Sequence, residues 1–359
     1  MAAPIGRTIG RHPKDTDILI QDLASPDEAA SFEAAKALGQ LEPCSQAVFS
    51  ALLSRATRHD DKNYKARRQA KDSLYQLVRE KKVKPKVAAK VLKTFLLQCL
   101  EDDLFVYNTP ITLLYALGDK GLDALLEALD KAPLSEIRAS VAQQLGEPSA
   151  EIVDKDGRRR EEKYSLKSRQ KRIVPALMKN LNDPYPRIRY GALLSLRNLY
   201  FGSAVERDVL MQTLIRALRH DSNWAVRAYC ANYLGELRDH QAMEPLLEVV
   251  QDNRAHWLLR KRCIMALRNI PRQSVEQEDR ARQALEKVFQ SSTGDVRNEA
   301  AVSLGKPEAE AYLRKKREEA EMASAILNGH GRYYDFLEDQ DDGYYMAQGL
   351  REKTPGGQW

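Results

Sequence analysis

Apolar residues recur at the three-to-four-residue spacing of amphipathic helices through most of the chain, and the predicted helices come in pairs joined by short polar turns. In the second helix of most pairs, an arginine follows an apolar residue and precedes a leucine by seven positions. Ser31 takes this place in the first pair. The last four of these arginines are separated by 38, 33 and 37 residues, about the length of one helical hairpin in a repeat array. This arginine column consists of Arg67, Arg138, Arg189, Arg227, Arg260 and Arg297.

The pattern predicts eight helical hairpins, because a two-helix unit cannot bury its apolar face alone and must stack on its neighbours. The third hairpin is irregular, with Pro110 near the expected start of its second helix. A small or slim residue stands three positions after each column position, where we expect close contact with the adjacent helix. These residues are Ala34, Ala70, Val141, Ala192, Cys230, Cys263 and Ala300. The hairpins fall at roughly residues 17–41, 46–80, 87–119, 121–147, 170–201, 205–238, 241–271 and 278–306.

The units resemble the HEAT-repeat family, particularly the bacterial form likened to phycobilisome lyases, whose units look like D-P-x-x-x-V-R-x-x-A-A-x-A-L-G. The matching residues are Asp183-Pro184 with Ile188-Arg189, Val226-Arg227 with Leu234-Gly235, and Val296-Arg297 with Leu304-Gly305. The resemblance covers most of residues 17–306 and implies an all-α, right-handed α-solenoid of about eight hairpins. It specifies architecture only.

We expect the chain to divide into four segments, of which the array is the second. Residues 1–16 form an N-terminal arm, and residues 17–306 form the solenoid, interrupted by a basic insertion at 148–170. Residues 307–329 read as a charged capping helix that ends near Asn328-Gly329. Residues 330–359 are an acidic, aromatic tail.

The composition of the chain limits the classes of protein to which it can belong. The chain has 359 residues, of which 43% are hydrophobic and 30% charged, and no apolar stretch is long enough for a membrane span. The N-terminus has no apolar signal region, so we expect cytoplasmic residence and no contact with a membrane. The four cysteines form no C-x-x-C pair and are expected to be core thiols.

Catalytic motifs are missing from the sequence. It contains no H-E-x-x-H, G-x-x-x-x-G-K-[ST] or G-x-S-x-G motif. No histidine is followed by glutamate, so the His–Glu pairs of the iron-binding HEAT hydroxylases are absent. We therefore expect a non-enzymatic protein without a metal or another cofactor.

The arginine column has two interpretations. Asp61, Asp183 and Asp221 stand six residues before column arginines, which suggests an Asp–Arg ladder between the turns and the second helices. This interpretation is favoured over direct contact of the arginines with a ligand.

Positive charge is concentrated in two places. Fourteen Lys and Arg residues lie between Arg55 and Lys93 against four acidic residues, and the insertion before Arg172 is the second basic stretch. Both could attract an acidic protein surface or a nucleic-acid backbone, or could be a solvated helix face and a flexible loop. The candidate residues are Lys81, Lys82, Lys84, Lys86, Arg158, Arg159 and Arg160.

Aromatic residues supply candidate protein contacts. Tyr64, Trp224 and Trp257 each stand three residues before a column arginine, where they could anchor a partner or fill the wedge between neighbouring hairpins. The tail combines acidic residues with aromatic ones, which is typical of a docking segment rather than of a solubilising tail. It could dock on its own basic region, on another subunit or on a partner, or be a frayed terminus. Its candidate contacts are Tyr333, Tyr334, Phe336, Tyr344 and Tyr345.

The preferred functional prediction is a scaffold that binds a protein partner with an acidic or peptide-like surface, through the solenoid and the tail. Self-association through the tail is one form of it. The alternative is a nucleic-acid-binding HEAT protein similar to the alkylpurine DNA glycosylases, using the basic face of repeats two and three and the insertion. Asp221, Trp224, Tyr229 and Trp257 could imitate the nucleotide-binding residues of those enzymes. The bilin lyases share the repeat consensus, but the consensus belongs to the scaffold.

Overall fold

The chain folds into stacked helical hairpins. The computed structural model describes residues 13–58, 64–100, 104–147, 152–153, 159–160, 166–201, 205–327 and 350. The first four hairpins are α1 (Pro13–Leu23) with α2 (Glu28–Leu38), α3 (Gln46–Thr57) with α4 (Tyr64–Arg79), α5 (Pro85–Gln98) with α6 (Leu104–Ala116), and α7 (Asp119–Lys131) with α8 (Ser135–Gln144). The other four are α9 (Leu166–Asn180) with α10 (Pro186–Phe201), α11 (Arg207–His220) with α12 (Trp224–Leu237), α13 (Met243–Gln251) with α14 (Trp257–Asn269), and α15 (Val275–Ser291) with α16 (Gly294–Leu304). Helix α17 (Ala309–Leu327) follows.

The eight predicted hairpins are confirmed, with local differences. Helix α1 begins at Pro13, inside the segment expected to be an arm, in keeping with the preference of proline for the first helical position. Pro110 lies in the middle of α6 rather than at its start, because the helix begins six residues earlier at Leu104. The insertion contains a short antiparallel pair, β1 (Ile152–Val153) and β2 (Arg159–Arg160), which the all-α prediction did not include.

The contacts divide the chain into two units. Unit 1 contains residues 1–181 and 194–204, and unit 2 contains residues 182–193 and 205–359, so α10 is shared between them. In unit 1, α5 packs on its hairpin partner α6 and on α7, the first helix of the next hairpin. In unit 2, α14 packs on its partner α13 and on the second helices α12 and α16. Each unit is therefore a local stack of hairpins, which is the arrangement of an α-solenoid.

Small residues determine how closely successive second helices approach. All seven residues of the predicted small slot are buried, with exposures of 0% to 2%. A second small position is the glycine of the L-G pair that ends several of the repeats, as in Leu38-Gly39, Leu145-Gly146 and Leu234-Gly235. A Cβ built on Gly146 would lie 2.2 Å from the Cα of Ser195, and one on Gly235 would lie 2.9 Å from the Cα of Ala266. A larger residue at either glycine would force the two backbones apart.

A buried serine fixes the same contact by a hydrogen bond. The Ser73 hydroxyl in α4 donates to the carbonyl of Ala35 in α2 at 2.9 Å, beside Gly39. In the same register, the Ser195 hydroxyl in α10 donates to the carbonyl of Ala142 in α8 at 2.5 Å. Both serines stand six positions after a column arginine. The hydrogen bond ties a second helix to the second helix before it.

Candidate interaction surfaces

The column arginines point to the turns of their own hairpins. The side chain of Arg227 donates to the carbonyl of Leu218 at 2.7 Å, and that of Arg260 donates to the carbonyl of Val250 at 3.1 Å. Both carbonyls lie at the end of the first helix of the hairpin, where helix C-termini leave carbonyl groups without helical partners. Arg67 reaches the carbonyl of Arg58 in the same way at 3.5 Å. The arginines thus cap the first helices with positive charge.

Arg189 and Arg260 also reach the next hairpin. Arg189 donates through Nε and Nη2 to both carboxylate oxygens of Asp221, each at 2.7 Å, and through Nη1 to the carbonyls of Asp183 and Pro184. Arg260 donates to the hydroxyl of Ser292 at 3.1 Å.

The remaining ladder candidates behave differently. The guanidinium of Arg297 lies over the ring of Phe289, 4.3 Å from its centre. Arg138 is half-buried at the equivalent position of α8. The carboxylate of Asp183 accepts the backbone N–H of Tyr185 within its own turn, and Asp61 lies outside the described residues.

The three aromatic candidates are each the first residue of a second helix. Tyr64 begins α4 and is 55% exposed, and Trp257 begins α14 and is 40% exposed. Trp224 begins α12 and is half-buried, with its ring stacked on the imidazole of His256 at 3.7 Å between centres and 12° between planes. The imidazole is also 5.8 Å from the ring of Trp257. Trp224, His256 and Trp257 thus form a row of three rings in unit 2, which we call the ring row.

His256 has a second role that holds the ring row in place. Its Nδ1 accepts the backbone N–H of Leu258 at 3.2 Å, so the imidazole caps the N-terminus of α14. An accepting Nδ1 carries no proton, which leaves the neutral ring with its N–H at Nε2. The ring is therefore oriented by the cap and presented to Trp224 by the same bond.

A tyrosine cluster lies on the second helices beside the ring row. The ring of Tyr190 in α10 is 4.1 Å from that of Tyr229 in α12, and the ring of Tyr229 is 6.4 Å from that of Tyr233. Tyr190 and Tyr229 are half-buried, whereas Tyr233 is buried. Tyr190 is not among the candidates predicted from the sequence, although it directly follows the column arginine Arg189.

The basic run between Arg55 and Lys93 does not form one surface. Arg55 is buried in α3 with an exposure of 4%. The Lys82 side chain is 14% exposed and lies 2.8 Å from Glu80, so it differs from Lys81, Lys84 and Lys86, which are exposed. These lysines follow α4, whereas Tyr64 begins it, and a helix of this length separates its ends by about 22 Å.

The N-terminal half of α4 contributes to a cleft in unit 1. The cleft has a volume of about 270 Å³ and lies between α4, the end of α3 and α6. The described residues that line it are Ala56, Thr57, Tyr64, Arg67, Arg68, Lys71, Asp72, Val106 and Thr109.

Several candidates cannot be placed. Arg158 and the five aromatic residues of the tail, Tyr333, Tyr334, Phe336, Tyr344 and Tyr345, lie outside the described residues. Arg159 and Arg160 form β2. Leu350 is described within the predicted tail and is buried, with an exposure of 6%.

The cysteines are buried thiols. Burial raises the pKa of Cys44 to about 11, despite an opposing backbone hydrogen bond. Burial likewise raises the pKa values of Cys230 and Cys263.

Among the described residues, no cluster of His, Cys, Asp and Glu side chains is arranged to hold a metal ion. The helices in the same part of the chain are too short or too polar to cross a membrane.

Repeated helical hairpins, capped by arginines and stacked through small residues, define an α-solenoid. Residues 173–203 match the model of the HEAT repeat, and residues 211–305 match a second model described as HEAT repeats. Residues 173–203 and 211–305 therefore contain HEAT repeats.

Solved structures agree on the architecture. Importin beta has a TM-score of 0.50 and 13% identity over 98% of this chain, and Kap121p bound to Ste12p has a TM-score of 0.52 and 15% identity over 94%. This chain spans 51% of the importin beta chain and 37% of the Kap121p chain. The complex of CpcE and CpcF of phycocyanin lyase from Nostoc sp. PCC7120 matches 80% of this chain and 97% of its own at 19% identity, with a TM-score of 0.29. No curated protein matches the sequence. The similarities to the importin beta and Kap121p structures establish the fold.

Proposed function

We propose that this protein is a non-enzymatic scaffold that binds a protein partner across the second helices of unit 2. The observation that carries the proposal is the ring row, in which the exposed Trp257 lies beside the stacked, partly buried rings of Trp224 and His256. Large aromatic rings held in fixed positions contribute much of the binding energy at protein interfaces, because little side-chain entropy is lost on binding.

The contacts of the column arginines favour an aromatic binding surface. Arg189, Arg227 and Arg260 direct their donors to carbonyl groups of the turns and to the next hairpin. Their guanidinium groups are thus engaged within the solenoid. A partner that crosses these helices would meet the rings of Trp257, Trp224 and Tyr229.

The structures of Kap121p bound to Ste12p, Pho4p and Nup53p show that proteins with this architecture hold protein partners. We extend this property to the present chain by analogy of fold. In the proposal, the acidic aromatic tail contributes to the interface with the partner. The proposed scaffold acts in the cytoplasm and uses neither a cofactor nor contact with a membrane.

The glycosylase-like alternative requires a free carboxylate beside the aromatic residues. The Asp221 carboxylate is 7% exposed and both its oxygens accept from Arg189. Because both carboxylate oxygens accept hydrogen bonds from Arg189, Asp221 favours a structural role over a catalytic one. Nucleic-acid binding through Lys81, Lys84 and Lys86 is the second candidate, since these side chains are exposed.

The proposal is tested by co-purification of the full chain with partner proteins. We expect a stoichiometric protein that is lost from the Trp224→Ala/Trp257→Ala variant and weakened by deletion of residues 330–359. Val275→Ala is the matched control, because Val275 is an exposed apolar residue at the start of a first helix, with an exposure of 78%. Equal recovery from the tryptophan variant and the wild type would refute the proposed surface. Nuclease-sensitive retention of DNA or RNA that is lost on reversing Lys81, Lys84 and Lys86 would favour the second candidate.

A further inference from the structure

The cleft beside α4 in unit 1 has the composition of a site for acidic side chains. Tyr64, Arg67, Arg68 and Lys71 stand at positions i, i+3, i+4 and i+7, so they form one stripe along a single face of α4. All four line the cleft. The stripe therefore presents three positive charges and one aromatic ring to the same space.

The cations of the stripe have few internal partners. Arg67 makes one long bond to a carbonyl and lies 5.6 Å from the centre of the Tyr64 ring. No described carboxylate lies within 4.0 Å of the Arg68 or Lys71 side-chain nitrogens. Asp72 is the one carboxylate among the described lining residues. These residues together carry a net positive charge.

Cations on the first helices of the same unit are arranged differently. Lys93 in α5 lies 2.7 Å from Glu127 in α7, and Lys179 in α9 lies 2.6 Å from Asp130 in α7. Arg172 in α9 forms an ion pair with Asp123 in α7. Packing of the hairpins therefore neutralises these three cations, whereas Arg68 and Lys71 of the stripe form no such ion pair with a described residue.

We infer that this cleft binds an acidic segment of a partner protein, with carboxylate side chains on Arg68 and Lys71 and an aromatic side chain against Tyr64. Guanidinium and ammonium groups are the donors that bind carboxylates most strongly in proteins. The floor accommodates an apolar group, since Ala56 and Val106 are buried with exposures of 6% and 3%.

The small volume of the cleft and the short extent of its line of cations favour a peptide over a nucleic acid as the ligand. A cleft of about 270 Å³ is at the small end of ligand pockets and holds one or two side chains. Nucleic-acid binding needs cations that follow the phosphate backbone over many nucleotides. Lys81, Lys84 and Lys86 lie beyond the other end of α4 and do not continue the stripe.

The inference is independent of the ring row, because the cleft and the ring row lie in different units. It is tested with the full-length protein and a short fluorescent peptide of Asp and Glu that contains one Tyr and one Phe. The control peptide has Asn and Gln in place of the acidic residues. We expect anisotropy to show binding of the acidic peptide alone and a weakening of that binding with added salt.

Charge reversal at the stripe supplies the decisive comparison. Arg68→Glu/Lys71→Glu should weaken peptide binding by about tenfold or more, since like charges then face the acidic groups. Lys86→Glu/Lys90→Glu changes the net charge equally on exposed positions of α5 and should leave binding within about twofold of the wild type. Arg68→Gln/Lys71→Gln, checked for folding by circular dichroism, should also weaken binding.

Three results would overturn the inference. Equal losses from the α4 and α5 reversals would show nonspecific attraction to the basic region. Equal binding of the control peptide would show that the carboxylates are not recognised. Tighter binding of a single-stranded oligonucleotide, abolished by the same α4 reversal, would assign the cleft to nucleic acid. Loss of the ring-row partner would affect none of these measurements.

Discussion

Arg189 and Asp221 form a bidentate pair that joins α10 to the turn of the following hairpin within unit 2. Nε and Nη2 of the arginine lie 2.7 Å from the two carboxylate oxygens, and the side chains are 8% and 7% exposed. Asp221 also accepts the backbone N–H of Asn223 at 2.8 Å. One carboxylate thus orders a turn and receives the arginine of the preceding repeat.

Removing one partner of this pair should strongly destabilise the fold. Asp221→Ala leaves a buried guanidinium without its carboxylate, and we expect a loss of about 3–5 kcal/mol in the free energy of unfolding. Urea unfolding measures the loss. Asp239→Ala is the control, because Asp239 also accepts a backbone N–H two residues further on, from Gln241, whereas its partner Arg207 is 46% exposed. An ion pair of this exposure contributes about 1 kcal/mol or less, so the control should lose less than Asp221→Ala. Similar losses from the two variants would contradict this ranking.

Substitution of a glycine at the end of a repeat should cost more stability when the backbone of the next helix lies closer to it. Gly146→Ala places a Cβ 2.2 Å from the Cα of Ser195 and should cost more than about 3 kcal/mol. Gly235→Ala, with 2.9 Å to the Cα of Ala266, should cost less, about 1–3 kcal/mol. Thermal unfolding ranks the two variants. The reverse order would show that closeness to the next helix does not determine the cost.

The Glu127 ion pairs should make stability depend on pH. Hydrogen bonds from Lys93 and Lys131 lower the pKa of this carboxyl below its ordinary value of 4.5. A lowered pKa means that the folded state favours the carboxylate, so the stabilisation is present above pH 4.5 and is lost as the pH falls through the folded-state pKa. Glu127→Gln should lose about 1 kcal/mol or less at pH 7, because the pair is partly exposed.

The measurement is urea unfolding of the wild type and of Glu127→Gln at a series of pH values. Their difference should disappear under acidic conditions. Glu33→Gln, at an exposed position in the middle of α2, gives a neutralising control and should show no such pH-dependent difference. A Glu127→Gln difference that stays constant from pH 7 to the acid limit would exclude the ion pairs as its cause.

His256 should stabilise α14 and orient Trp224 by separable contacts. His256→Ala removes the cap and should cost about 0.5–2 kcal/mol. His256→Asn supplies another cap and should recover most of this loss, but it removes the stacked ring. Tryptophan fluorescence should therefore differ from the wild type in both variants, while chemical unfolding separates them. A wild-type emission spectrum for His256→Asn would argue against stacking in solution.

Much of the fold could be predicted from the sequence because hairpin contacts are local and the apolar period is read directly. The column arginines and the small slot were found for this reason. The partner of each arginine could not be found in the same way. Asp221 precedes Arg227 by six residues in sequence, yet its carboxylate receives Arg189 from the hairpin before. Sequence spacing alone does not distinguish the two choices.

The candidate surfaces were harder to predict because composition does not reveal which end of a helix carries a charge. Fourteen cations in one run suggested a single basic face, but α4 separates Arg68 and Lys71 from Lys84 and Lys86. Burial removes Arg55 from either group. His256 was missed because a lone histidine gives no sequence signal for stacking on a tryptophan in the preceding hairpin.

The contacts of Gly39 with Ser73 and of Gly146 with Ser195 use the same register, with serine or alanine six positions after the arginine of the incoming repeat. The two halves lie on different hairpins, because Gly146 and Gly235 share their hairpins with Gln144 and Tyr233, whereas Ser195 and Ala266 share theirs with Arg197 and Arg268. The contact therefore belongs to a pair of successive hairpins. Gene duplication would preserve it without compensating mutations when it copies such a pair, and a copied single hairpin would place a large side chain at the new junction.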